Sequence, residues 1–189
     1  MKDLKQKLLN VGFDIISEQG FAGVGVMTII NAACATKGSF YHHFKSKDDF
    51  GRILLDDYFE EHLASLTQFL TNAAITRQER VTAYFENWCS TKVTDDFQIK
   101  CLVVKLSGEI SGTSNDMQKS LNSGAEKLIS CMSDFFEQGI IENDFSLKNS
   151  YDTSRAIYSL WLGSTLLCAL HKDRSILDSA IKETRRLIL

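Results

Sequence analysis

The chain contains no proline in 189 residues. The turns of β-rich proteins lean on proline, whereas a helical chain can dispense with a residue that lacks a backbone donor and breaks helices. Nor is any apolar run long enough to span a bilayer. The longest, AIYSLWLGSTLLCAL at 156–170, falls short of the roughly 20 residues needed and is interrupted by Ser and Thr. The polar start MKDLKQKLLN has no apolar block before a small-residue cleavage site, so a secretory leader is not expected. The five cysteines lack CxxC spacing, which fits reduced thiols better than a disulfide framework. A large excess of one charge is missing too: the net charge of −3 excludes a protein that is basic all over. These absences predict a soluble, cytoplasmic, all-α protein with no membrane partner. Hydrophobic content of 44% with 24% charged residues allows a packed core rather than disorder. The length suits one compact domain or a small domain on a larger one.

The charge that is present is unevenly spread. Residues 1–52 carry Lys2, Lys5, Lys7, Lys37, Lys45, Lys47 and Arg52 against Asp3, Asp14, Glu18, Asp48 and Asp49, while acids outnumber bases in the remainder. A slightly basic head on an acidic body suits a polyanion partner at the head alone.

Hydrophobic periodicity is helical throughout. Leu4, Leu8, Val11 and Ile15 share one face of a first helix, which the glycines of QGFAGVG (19–25) end. No strand precedes these glycines, so they read as an interhelical loop rather than a phosphate cradle. Two short helices are expected at about 28–33 and 37–44, the second capped by Thr36. Ser46 with Asp49 opens a long helix to about Leu70, and Thr76 with Glu79 opens another that buries Val81, Tyr84, Phe85 and Trp88. Further helices are expected at about 98–110, 115–139, 152–171 and 175–188. The apolar face of the 115–139 helix is Leu121, Ala125, Leu128, Met132 and Phe135, and Ser175 with Asp178 opens the last helix.

Two short helices joined by a tight turn describe a helix-turn-helix. An eight-residue helix is about 12 Å long, which matches a major groove about 12 Å wide. In KGSFYHHFKSKDDF (37–50), Phe40 and Phe44 share a face and should anchor the helix. Lys37, Ser39, Tyr41 and His42 then face outward, and Gly38 lets backbone approach closely. Lys47 lies in the first turn of the next helix, another place that attracts phosphate. Spacing alone leaves open that YHHF is an aromatic core turn and the lysines a solvated face.

The stretch FAGVGVMTIINAACATKGSFYHHFKSKDDF resembles the DNA-binding signature of the tetracycline-repressor (TetR) family of bacterial transcriptional regulators. That resemblance implies a three-helix helix-turn-helix head (1–50) on a larger helical ligand-sensing and dimerisation body (51–189). It implies a homodimer on double-stranded operator DNA. The DNA contacts it implies are Thr28, Thr36, Lys37, Ser39, Tyr41, His42 and Lys47. Two positions depart from the signature: Met27 stands where a Ser or Thr cap is usual, and Cys34 where the turn usually has Gly. The stretches KCLVVKLSGEISGTSNDMQKSLNSGAEKLIS and YSLWLG resemble the N-ethylmaleimide-responsive branch of the family, which responds to electrophiles and oxidants. Cys101 then matches the sensing cysteine. The lysine that the branch carries after WLG aligns with Ala169, with Lys172 close by.

Beside that resemblance stand the residues themselves. Lys100 precedes Cys101, and Lys105 lies one helical turn further on the same face, where both would favour a thiolate. Cys89, Cys131 and Cys168 read as small core hydrophobes, and Cys34 as an exposed thiol in the turn. His42, His43, His62 and His171 have no metal-ligand spacing, and no cofactor is expected. The expected function is an operator-binding repressor released by electrophiles or oxidants. The alternatives are a repressor induced by a noncovalent hydrophobic ligand and, from another class, a thiol-dependent enzyme or scavenger. The helices at 115–139 and 152–171 are expected to pair with their twofold mates, Gly163 and Ser164 permitting close approach.

Overall fold

The computed structural model describes residues 2–110 and 114–189; residues 111–113, inside the stretch matched above, lie outside it. The described residues form nine helices: α1 Lys2–Gln19, α2 Val26–Ala32, α3 Lys37–His43, α4 Lys47–Leu70, α5 Arg77–Thr91, α6 Leu102–Ile110, α7 Asn115–Ile141, α8 Ser150–His171 and α9 Ser175–Leu187. A single antiparallel bridge, Val93 to Ile99, is the only extended pairing among them. No helix among the described residues is long and apolar enough to cross a membrane. The all-helical expectation holds, for the reason that made proline dispensable.

Residues 1–59 and 100–124 form one compact unit, and residues 60–99 and 125–189 another. In the first, α1 buries Leu8, Leu9, Gly12 and Ile16, so its inner face is rotated from the expected Leu4, Leu8, Val11 and Ile15. The close approach of Phe50 sets this rotation, because a Cβ on Gly12 would fall 2.4 Å from its ring. Gly20, at φ +77°, ends α1 in the left-handed region and bonds back to the Ile16 carbonyl (2.8 Å).

In the second unit, Val81, Tyr84, Phe85 and Trp88 of α5 are buried as their spacing predicts. Phe85 stacks on Trp161 at 4.5 Å between centroids. Each indole finds a partner: Trp88 donates to Thr165 Oγ1 (2.8 Å) and Trp161 to Thr184 Oγ1 (2.9 Å). Thr76 and Glu79 form a reciprocal capping box on α5.

The start of one helix and the capping of another differ from expectation. α6 begins at Leu102 rather than near Gln98, because Phe97 takes a left-handed φ of +65° and the Thr94 hydroxyl accepts the Gln98 N–H (2.9 Å), closing a turn that helix cannot enter. Ser175 does not cap α9 with Asp178. The residue before the helix is Arg174, and the Ser175 N–H and hydroxyl both bond Asp173.

His62 is buried in the second unit with its ring 5.7 Å from Trp88. Burial, with a smaller contribution from the Lys92 charge, pushes its pKa down to about 3. The unfolded chain takes up this proton near the ordinary imidazole value of about 6.5, so below that pH the unfolded state binds more protons than the folded one. This contribution to stability is complete above about pH 6.5 and is lost as pH falls towards 3, at a limiting rate of about 1.4 kcal/mol per pH unit. Urea titrations at pH 7 and pH 4.5 should therefore show a loss of up to about 2–3 kcal/mol that His62→Leu does not show. Equal pH dependence in the two proteins would assign the acid sensitivity elsewhere.

Candidate nucleic-acid interface and thiol site

The helix-turn-helix is built from α2 and α3. Gly25, not Met27, is the N-cap of α2, and it makes no side-chain cap bond; Thr28 N–H donates to the Gly25 carbonyl (3.1 Å). Met27 instead sits within the helix and is 51% exposed. Cys34 occupies the turn at φ +52°, a left-handed conformation that explains why glycine is usual there. Its side chain is exposed.

Thr36 caps α3 in a two-way box: its Oγ1 accepts Ser39 N–H (3.1 Å), and Ser39 Oγ accepts Thr36 N–H (3.0 Å) while donating to the Thr36 carbonyl (2.9 Å). The two hydroxyls expected at the outer face thus also hold the helix start together. Phe40 and Phe44 are buried, packing on each other at 5.0 Å and on Phe50 at 5.5 and 4.8 Å. Lys37, Gly38, Tyr41 and His42 form the exposed face, joined at the start of α2 by exposed Thr28. His43 is held below the ordinary imidazole value by partial burial and then by His42 and Lys5.

Lys47 is half-buried, its ammonium 4.6 Å from the Phe21 ring centroid and 3.4 Å from the Ala22 carbonyl. The two acids after it are placed differently. Asp49 accepts the Lys45 N–H (2.9 Å) and pairs with Arg52 (3.0 Å), contacts that hold its carboxyl below the usual range. Its own N–H donates to Ser46 Oγ, the cap expected for α4. Asp48 stays exposed.

Cys101 directly precedes α6 and is fully buried. Its carbonyl accepts the Lys105 N–H (3.0 Å), the first bond of the helix, and its sulfur accepts a bond from the Tyr58 hydroxyl (3.6 Å). Lys100 and Lys105, expected beside the thiol, both bond the end of α1. Lys105 Nζ donates to the Glu18 carbonyl (3.1 Å), and Lys100 Nζ lies 3.3 Å from Ser17 Oγ and 3.7 Å from the Glu18 carboxylate. Glu109 of the same helix accepts the Ala22 N–H (3.0 Å), and a Cβ on Gly20 would strike its carboxylate. Three side chains from 100–109 therefore grip the end of α1 and the turn before α2. The sequence-level reading missed Tyr58 and Glu109, because nothing local marks residue 58 as a neighbour of 101, or 109 of 22.

Burial pushes Cys89 up to about 11 and raises Cys131 and Cys168 as well. No group of three or more His, Cys, Asp or Glu suited to a metal occurs among the described residues.

This architecture has close parallels. The HTH-type transcriptional repressor NemR of Escherichia coli K12 is 28% identical over 98% of this chain and 94% of its own. The HTH-type transcriptional repressor DhaR of a Mycobacterium species is 28% identical over 93% of this chain and 87% of its own. The crystal structure of the reduced form of E. coli NemR superposes with a TM-score of 0.93, covering 99% of this chain and 97% of that one at 28% identity. These relatives are transcriptional regulators, not enzymes. Residues 8–50 match the bacterial regulatory proteins of the tetR family, and residues 78–184 match the tetracyclin repressor-like C-terminal domain. The chain belongs to the tetR family of bacterial regulatory proteins.

Proposed function

We propose that this regulator is a homodimeric, cytoplasmic repressor that holds a palindromic operator through its two 1–50 heads and releases it when Cys101 is alkylated or oxidised. One observation carries the release mechanism: a fully buried thiol lies in the same compact unit as the helix-turn-helix, at the start of the helix that grips it. An adduct on a side chain with no exposed surface must displace what surrounds it. The start of α6 moves, Lys105 and Glu109 move with it, and the α1–α2 turn loses its register. Misplaced heads then lose the second half-site. In this reading residues 51–189 form the regulatory and dimerisation body.

Base and phosphate contacts fall to Thr28, Thr36, Lys37, Gly38, Ser39, Tyr41, His42 and Lys47. Lys37→Ala should cost about 1–3 kcal/mol on the true operator and little on random DNA, as expected of a base contact. Lys47→Ala should weaken all sequences alike and reduce the salt slope by about one. Equal losses on both DNAs from Lys37→Ala would make it a phosphate contact.

Dimerisation is supported by α8. Gly163, Leu166, Leu167 and Leu170 recur on one face, the three leucines 50%, 44% and 70% exposed, and an added Cβ on Gly163 meets nothing within 4 Å. Sedimentation should give twice the 21.3 kDa of one chain, and Leu166→Glu with Leu170→Glu should give monomers that no longer bind the operator. The direct test of the whole reading is titration of a labelled upstream intergenic fragment in reducing buffer, with and without N-ethylmaleimide. Absence of specific binding would sink the repressor assignment; binding that the electrophile does not reverse would sink the sensing mechanism.

A further inference from the structure

A sensing thiol must ionise near neutral pH, and Lys100 and Lys105 both bond the end of α1. A phenol bonds the sulfur directly. We propose that Tyr58 is the positioning residue that poises Cys101 for attack on electrophilic carbon, a role that rests on the thiol-sensing reading. The Tyr58 hydroxyl donates to Cys101 Sγ at 3.6 Å, and both residues are buried. Packing aims the hydroxyl: the ring stacks on Phe13 at 6.1 Å and meets Phe59 edge-on at 5.4 Å. A hydrogen bond to a charged acceptor is stronger than one to its neutral form, so this donor favours the thiolate over the thiol. Burial alone acts in the opposite direction, as Cys89 illustrates. Tyr58 therefore acts against the desolvation of Cys101.

With a maleimide, the thiol proton leaves to solvent and the sulfur electron pair forms a C–S bond to one alkene carbon. The other alkene carbon takes a proton from solvent, and Tyr58 keeps its own. The test is the rate of Cys101 modification by N-ethylmaleimide, read by quenching and mass spectrometry between about pH 6 and 9.5. Y58F keeps the ring and its packing but removes the donor. A tenfold shift of the thiol–thiolate balance, offset by the greater nucleophilicity of a more basic thiolate, should slow modification about threefold at pH 7. For the same reason the variant should equal or overtake the wild type at alkaline pH, so the two curves cross. A change in packing or access alone would slow the reaction by one factor at every pH, and such parallel curves, or identical ones, overturn the role of Tyr58. If Y58F melts early, F13L, which leaves the hydroxyl but loosens its aim, should give the same crossing. Operator release, lost in Cys101→Ser, separates the two levels: release with parallel curves overturns Tyr58 alone. No adduct at Cys101 in the wild type overturns both.

Discussion

Replacing Cys101 with serine should leave operator affinity within about threefold of wild type and abolish its response to electrophiles. The hydroxyl is close in size to the thiol and can accept the Tyr58 bond, so the packing of a fully buried position is disturbed little. The wild type should lose about 100-fold in affinity after N-ethylmaleimide or hypochlorite, near the upper end of typical coupling between two sites. The rest of the mechanism predicts the behaviour of Glu109→Gln. Its amide oxygen can still accept the Ala22 N–H, so this variant should release much as wild type does, whereas Glu109→Ala should lower operator affinity before any electrophile is added. Fluorescence anisotropy with labelled operator measures all four proteins. If Cys101→Ser releases as wild type does, burial at this position signifies packing alone. Cys34, exposed in the helix-turn-helix, is then the thiol to replace next.

Phe40→Ala should destabilise the head more than any change on its outer face. The ring is completely buried and is the common partner of Phe44 and Phe50, so its loss opens a cavity between those two rings. Large-to-small changes of this kind cost about 3–5 kcal/mol. In a chain of this size that corresponds to a melting temperature lower by about 6–20 °C. Specific operator binding should disappear at 37 °C, because α3 loses the anchor that presents Lys37, Tyr41 and His42. Phe40→Leu, which keeps most of the volume, should cost less than about 1.5 kcal/mol and retain binding. Differential scanning fluorimetry paired with operator titration separates the outcomes. An unchanged melting temperature in Phe40→Ala would place the ring outside the cooperative core.

Local chemistry determined much of this protein. Capping pairs three residues apart, Thr36 with Ser39 and Thr76 with Glu79, close on themselves wherever the chain goes. The four-residue rhythm of Val81, Tyr84, Phe85 and Trp88 chooses a buried face before any partner is known. The exposed set on α3 follows from the positions of Phe40 and Phe44 by helix geometry. Local rules also failed in particular places. The start of α6 was set by a left-handed Phe97 and a side-chain turn, neither of which periodicity registers. The face of α1 was set by how closely Phe50 approaches Gly12, a contact across 38 positions of chain. The thiol site shows the same division. Sequence likeness pointed to Cys101, and spacing placed Lys105 on its face. Tertiary structure sent Lys105 to the end of α1, placed Tyr58 on the sulfur and set Glu109 against Ala22. A side chain one helical turn away is near by geometry, but its charged end goes to whatever acceptor the folded chain brings within reach, and only the fold decides which acceptor that is.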